Sequence, residues 1–291
     1  MRAAARRLSS WPLQLVGPPV RAEVLDHAAE QAITVTRIPG GQIRFYTPSP
    51  LLLARAASVL SKEVDTIAWI DGLDEEAVLW DVGANVGVYS LYAALRRNVT
   101  VLAFEPSAAN FHVLSKNIQL NDLSGRMTAY CVAFSAGTQL GVLNLSSPRM
   151  GAALAQFGRP AELSRYADAQ SEAVTQGMIG FSIDDFIEEF NPPFPNALKM
   201  DVDGLEREIL EGAYKTLRDP RLQSLMVELG VSREDEYRRA FGLLKRAGFG
   251  FVSRGEVQGT RTESAANHLF HRVPPVTMSV GCSAESVDLR R

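Results

Sequence analysis

Val78-Leu79-Trp80-Asp81-Val82-Gly83-Ala84-Asn85-Val86-Gly87 is a short apolar run that ends in an acidic residue and a glycine-rich turn. A helical pattern follows over residues 86–95. Strand, glycine turn and helix in that order open a βαβ unit, because glycine permits the tight turn and lets a ligand approach the backbone. The downstream sequence keeps the same rhythm. Residues 99–104 read as the next strand, closed by Glu105-Pro106, then 110–120 as a helix and 127–134 as a third strand. After a pause come a short helix at 184–190, a strand at 197–202 with a helix at 205–217, a strand at 222–229 and a helix at 234–247. Residues 249–252 and 268–271 read as closing strands. Strands alternating with helices of this length imply a parallel sheet. The expected fold is α/β: a Rossmann-like, doubly wound, mostly parallel sheet with helices on both faces.

Within the pause, 140–145 reads as an extra strand. Residues 146–180 hold Gly, Pro, Ser and Ala without a clear period, as lids and binding loops do. Before the rhythm starts, 24–32 suggests a short helix, 42–46 a strand, and 51–70 apolar residues at helical spacing. This divides the chain into an N-terminal extension, 1–74, a main domain, 75–275, and a tail, 276–291, expected to be mobile.

Composition narrows the function. The 291 residues are 46% hydrophobic and 22% charged, with a net charge of -3. That is a soluble globular balance with no sign of the basic stripe that nucleic-acid binding uses. Arg2, Arg6 and Arg7 precede an apolar stretch that Pro12 and Gln14 break, too short for a signal peptide. No run is long enough to span a bilayer, so a cytoplasmic protein is expected. Cys131 and Cys282 are far apart and in no metal or redox spacing. The four histidines form no ligand pair, since His268 and His271, three apart in a strand, face opposite sides. No Walker loop, Ser-His-Asp order or metal-ligand cluster is visible, so no metal is expected.

The glycine turn points to an adenosine-bearing ligand. Glu105 ends the next strand about 20 residues on, where an acidic residue accepts hydrogen bonds from a ribose. The dinucleotide fingerprint has a second glycine that lets the backbone meet the pyrophosphate. Here the register is Gly83-x-x-x-Gly87, with Asn85 in that place and Asp81 just before the turn. A carboxylate repels phosphate but suits an amino group. S-adenosylmethionine has no phosphate and carries a cationic sulfonium, so it fits better than NAD or ATP. The rival readings are an NAD-dependent oxidoreductase and a purely structural glycine turn.

A second cluster is Lys199-Met-Asp201-Val-Asp203-Gly204-Leu-Glu206. Strand alternation puts Lys199, Asp201 and Asp203 on one side for as long as the strand lasts. If this strand lies beside the first, Asp81 and Asp201 flank the crevice where strand order reverses, the usual ligand site of open α/β sheets. Asp203 and Glu206 also have the spacing of a helix capping box. Glu228, in Val227-Glu228-Leu229, ends the next strand at the same sheet edge and is a substrate contact or a cap.

Taken together, these segments resemble the FkbM-type methyltransferase family. The matching text is 81–90; Ala103-Phe104-Glu105-Pro106 with Asn110 and Asn117; Ser182-Ile183-Asp184-Asp185; 199–206 with 209–213; Val227-Glu228; and Asn267-His268-Leu269-Phe270. The resemblance covers roughly 75–272 and implies the class I methyltransferase fold, S-adenosylmethionine as cofactor, and methyl transfer to a hydroxyl on a sugar or sugar-bearing natural product. It implies a cofactor site of Asp81, Gly83, Ala84, Asn85, Gly87, Glu105, Pro106, Asn110 and Ala133. Asp201 is then the base or orienter beside the acceptor, with Asp203, Glu206 and Glu228 as substrate or supporting residues. Where relatives usually carry Glu in the Asp-Val-Glu-Gly stretch, this chain has Asp203, which keeps the charge and shortens the reach. A relative that has lost catalysis and serves as a binding module is the remaining alternative.

Overall fold

The computed structural model of the chain describes residues 15–158, 174–259 and 264–274. The basic lead-in and the whole tail, 276–291, lie outside the described residues. Before the glycine turn come helix α1 (Pro18–Glu30), strands β1 (Ile33–Ile38) and β2 (Gly41–Tyr46), and helices α2 (Pro50–Ala57) and α3 (Val64–Asp71). The expected strand at 42–46 is thus half of an antiparallel hairpin, turned at Gly40 with φ +81°. The helical stretch at 51–70 is two helices, the first capped by Ser49, whose hydroxyl accepts from the Leu52 amide at 3.3 Å.

The central unit runs β3 (Val78–Val82), α4 (Val88–Arg97), β4 (Thr100–Phe104), α5 (Ala108–Leu120) and β5 (Met127–Tyr130). A smaller group follows: β6 (Ala133–Phe134), β7 (Gln139–Leu145), β8 (Ala155–Phe157) and β9 (Val174–Phe181). The chain closes with α6 (Ile183–Phe190), β10 (Ala197–Met200), α7 (Glu206–Glu211), β11 (Ser224–Gly230), α8 (Glu234–Arg246), β12 (Phe249–Arg254), β13 (Gln258–Gly259) and β14 (Ser264–Arg272). The main sheet has the order β12-β14-β11-β10-β3-β4-β5, with β13 on β14. The five strands from β5 to β11 are parallel, and β14 enters antiparallel. Strand order reverses between β3 and β10, as the doubly wound reading requires.

Alternation along β3 and β4 divides the interior in two. Leu79, Val101 and Ala103 face the core built with α4, α5 and the N-terminal hairpin, where Ile43, Phe45 and Leu52 are buried. Trp80, Val82, Leu102 and Phe104 face the other core, with Phe134, Phe186 and Leu225. The N-terminal segment therefore shares one core with the main sheet. Asn117 fastens it there by accepting from the Tyr46 amide at 2.7 Å and donating to the Val86 carbonyl at 2.8 Å.

Two expectations are corrected. The third strand is not continuous over 127–134, because β5 belongs to the main sheet and β6 crosses to a second, four-stranded sheet. The stretch 146–180 is not wholly irregular: β8 and β9 flank β7 in that second sheet. Residues 159–173 of that stretch lie outside the described residues. The sheet's tight fit explains two of its glycines: a Cβ at Gly141 or Gly180 would come within 2.7 or 2.3 Å of the Phe157 ring.

Candidate functional site

Parallel strands that all end at one edge bring their terminal residues together there. Asp81 in β3 and Lys199 in β10 stand side by side in register. Asp81 is 2% exposed; its Oδ2 accepts from Ser90 Oγ at 2.5 Å, and its Oδ1 is buried without a partner. Burial pushes the Asp81 carboxyl up, with Lys199 and Ser90 pulling it back.

The glycine turn has the conformation that only its sequence allows. Gly83 has φ +87°, and a Cβ on it would stand 1.9 Å from the Asp201 carbonyl oxygen. Gly87 has φ +84° and caps α4, and a Cβ there would meet Leu114 at 2.5 Å. Asn85, at φ 51°, donates its amide to Glu105 Oε2 at 2.8 Å and its side chain to the Ala152 carbonyl at 2.9 Å. Ala84 is buried beneath the turn.

Glu105 is buried at the end of β4. Its Oε1 accepts from the Ser107 amide at 2.8 Å and from Asn110 Nδ2 at 3.4 Å. Burial raises its carboxyl to about 7 against these hydrogen bonds. Asn110 also donates to the Ala152 carbonyl and accepts from the Gly151 amide, at 3.0 and 2.8 Å. Arg55, from α2, donates to the Gly151 carbonyl at 3.0 Å. The loop between β7 and β8 is thereby strapped over the cleft lined by Gly83, Asn85, Glu105, Pro106 and Asp201. Deeper, Pro106 and Ala133 border an apolar slot with Val82, Phe104, Phe157 and Leu205.

The second cluster departs from the alternation expected of it. β10 ends at Met200, so Asp201 and Asp203 lie in the following turn, Asp203 with a left-handed φ of 58° that aspartate tolerates. No capping box forms: Leu205 is the cap residue of α7, without a side-chain bond. Instead Asp203 Oδ2 accepts from the Leu154 amide at 2.6 Å, and Glu206 Oε1 accepts from the Val202 and Gly204 amides at 3.1 Å each. Glu206 supports the turn from below, its carboxyl raised by burial to about 7. Asp203 is raised to about 6, by burial and by Asp201.

Lys199 and Glu63 were not assigned from sequence. Lys199 is 2% exposed; its ammonium lies 3.1 Å from Asp201 Oδ2, 4.0 Å from Glu63 Oε2 and 5.2 Å above the Tyr89 ring. Burial opposes that charge, but Asp201, Glu63 and Asp81 outweigh it and hold Lys199 protonated. The same pairing keeps Asp201 below the usual carboxylate range despite its burial cost. Glu63 belongs to the N-terminal segment and also accepts from Thr66 at 3.0 Å and Asn267 at 3.1 Å. Nothing in its spacing relative to Lys199 announces this contact.

Asp201, Asp203 and Glu228 present carboxylate oxygens within 4.8 Å of one another. Repulsion by Asp201, with burial, lifts Glu228 to about 9, so it is protonated at neutral pH and hydrogen-bonds to Asp201. Such a trio can share a proton or hold a cation. Its members come from β11 and the turn after β10, so sequence spacing does not reveal it. Glu228 does not cap the next helix, whose cap residue is Arg233. His268 is buried, with Nε2 3.2 Å from the Tyr237 hydroxyl, while His271 is exposed.

A doubly wound sheet with a glycine turn after its first strand, a buried acid after its second and an acidic turn after its fourth is the frame of a class I methyltransferase. The family described as "Methyltransferase FkbM domain" matches residues 81–251, more than half of the 291, and the chain belongs to that family. It is similar to the hexuronic acid methyltransferase AglP of Haloferax volcanii, 24% identical over 204 residues, which are 69% of this chain and 77% of AglP. It is also similar to the 31-O-demethyl-FK506 methyltransferase FkbM of Streptomyces tacrolimicus, 40% identical over 63 residues, 21% of this chain and 24% of that one. A precorrin-6y C5,15-methyltransferase from Geobacter metallireducens, with 12% identity and a TM-score of 0.43 over 79% of this chain and 94% of its own, is too loosely similar to add to the fold. Among the described residues no helix is long and apolar enough to cross a membrane.

Proposed function

We propose that the protein transfers a methyl group from S-adenosylmethionine to a hydroxyl of a sugar or sugar-bearing natural product. The observation that carries the cofactor assignment is the buried, unpartnered Oδ1 of Asp81 beside the glycine turn. An orphaned carboxylate oxygen is costly unless a donor meets it, and the amino group of a methionine moiety is such a donor. A phosphate at this place would face the carboxyls of Asp81 and Asp201 instead.

On this reading Gly83, Ala84, Asn85 and Gly87 form the cradle. Glu105 takes the ribose hydroxyls, with Asn110 orienting it. Pro106 and Ala133 border the slot for the adenine. S-adenosylmethionine supplies a methyl group already activated for in-line displacement. The chain's part is to aim the acceptor oxygen, exclude water and take up the hydroxyl proton.

On this reading Asp201 receives that proton. Its carboxylate, kept ionised by Lys199, is a weak base, so its first task is to orient the hydroxyl. As the oxygen forms its bond to carbon the proton becomes strongly acidic, and a weak base then suffices. The name of AglP, a hexuronic acid methyltransferase, supports a sugar as acceptor, and that of FkbM, a 31-O-demethyl-FK506 methyltransferase, supports an oxygen as the atom methylated. The test is to incubate the protein with methyl-labelled cofactor and fractionated cell extract, then identify the labelled species by mass spectrometry. Label on carbohydrate oxygen supports the reading, and label on protein, lipid or nucleic acid alone contradicts it.

A further inference from the structure

A second cleft, of about 260 Å³, opens on the far side of Asp203 and Glu228 from the glycine turn, between β11, α7 and α8. Asp203 and Glu228 also line the cleft that holds Gly83 and Glu105, so the two cavities meet at this pair. A molecule seated in the second cleft therefore touches Asp203 and Glu228, whose carboxylate oxygens lie within 4.8 Å of that of Asp201. We propose that this cleft is the acceptor site and that it takes an uncharged, hydroxyl-bearing ring while rejecting the corresponding carboxylate. The proposal rests on the methyltransferase reading above.

Charge and shape both lead there. The cleft is lined by four carboxyl groups, those of Asp203, Glu206, Glu228 and Glu236, against two cations, Arg207 and Arg233. Both arginines already face acids. Arg207 is 2.7 Å from Glu211 and 3.4 Å from Glu208, and Arg233 is 3.9 Å from Glu236. An anionic acceptor would thus enter a lining whose acids outnumber its cations, with both cations already paired. Carboxyls suit hydroxyls instead, since each oxygen accepts from one and a protonated carboxyl also donates. Arg207 Nε is buried without a partner and is left to donate to an oxygen of the ring.

Leu154, Leu229, Ala240 and Ala265, with Tyr237, give the lining an apolar side, and Gln258 and two serines add uncharged polar groups. The Tyr237 ring is fixed, edge-on to His268 at 5.2 Å between centroids and 4.7 Å from Phe241. A rigid aromatic wall opposite hydrogen-bonding carboxyls matches a ring with apolar faces and a polar rim.

The experiment uses the full chain saturated with S-adenosylhomocysteine. It is titrated by calorimetry with neutral p-nitrophenyl hexopyranosides and the matching p-nitrophenyl uronides. At least one neutral glycoside is expected to bind, and its uronide to bind at least tenfold more weakly. Ser232→Trp, an exposed position on the cleft, and Tyr237→Ala are each expected to weaken the glycoside at least tenfold. Retained S-adenosylhomocysteine binding shows that each variant has folded. The proposal is overturned if uronides bind as well as neutral glycosides, if no glycoside binds the loaded protein, or if binding ignores both substitutions. Failure of the wild-type protein to bind S-adenosylhomocysteine would instead remove the methyltransferase reading on which the proposal stands.

Discussion

Lys199 Nζ lies 3.1 Å from Asp201 Oδ2 while Lys199 stands in register beside Asp81, so one buried ammonium serves a carboxyl of β3 and one of the turn after β10. Glu63 closes the group from the N-terminal segment at 4.0 Å. This explains how Asp201 stays ionised among other buried acids.

Lys199→Met should therefore do more than remove a contact. Breaking a buried ion pair leaves uncompensated charge and costs about 3–5 kcal/mol. Asp201, which Lys199 holds below its usual range, should then titrate higher. A lowered folded value adds stability only above the unfolded one, so the loss should be greatest above about pH 4. Urea unfolding across pH checks this, together with an acid limb of the rate profile moved to higher pH. Unchanged stability and an unmoved limb would show that the lysine is dispensable.

Glu105→Ala should weaken the cofactor more than it slows turnover at saturation. Ribose contacts are similar in ground and transition states, so their loss falls on binding. Normal affinity with much reduced turnover would remove Glu105 as the ribose anchor. Because its carboxyl is raised to about 7, cofactor affinity should also rise as pH climbs from 6 to 8. Glu105→Gln should flatten that rise.

Glu206, also raised to about 7 by burial, ties pH to stability in the opposite sense from Asp201. A raised folded value contributes stability that is complete below the unfolded value of 4.5 and lost as pH rises through about 7. The melting temperature of the ligand-free protein should accordingly fall between pH 5 and 8, and Glu206→Gln should reduce the slope. An unaltered slope would place the titrating group elsewhere.

Asp201→Asn is nearly isosteric, so the fold and appreciable cofactor affinity should survive while methyl transfer falls by about 10²–10⁴-fold, the usual cost of losing a positioned base. A loss of cofactor affinity with normal saturated turnover would make Asp201 a methionine ligand instead. A lowered melting temperature alone would make it a support for the strand end.

The sheet was legible because β3, β4, β10 and β11 are buried on both sides and read as apolar runs, and the turn at Gly83 needs glycine twice over, for its φ and for its closeness to Asp201. The second sheet was not, since β8 and β9 are separated by residues without period and pair only through β7. Within the site, Asp81 lies near the end of β3 and Glu105 and Asp201 directly after β4 and β10, so their place follows from the βαβ rhythm. Lys199 stood in plain sight, but its partner Glu63 is brought to it only by the packing of α3. The capping-box spacing of Asp203 and Glu206 misled because Leu154, from the loop after β7, competes for the Asp203 carboxylate. Several segments that carry the family resemblance turn out to hold the scaffold: Asp184, for example, accepts from the Thr216 amide and hydroxyl at 2.9 and 2.6 Å.

The central claim is that the Asp81 turn and Glu105 bind a phosphate-free, methionine-bearing nucleoside. The measurement that tests it most directly is calorimetric titration of the purified chain with S-adenosylmethionine, S-adenosylhomocysteine, NAD and ATP under one set of conditions. Binding of the first two, with NAD and ATP at least tenfold weaker, is the result expected from an acidic crevice with an unpartnered Asp81 oxygen. Tighter binding of NAD than of S-adenosylhomocysteine would contradict it.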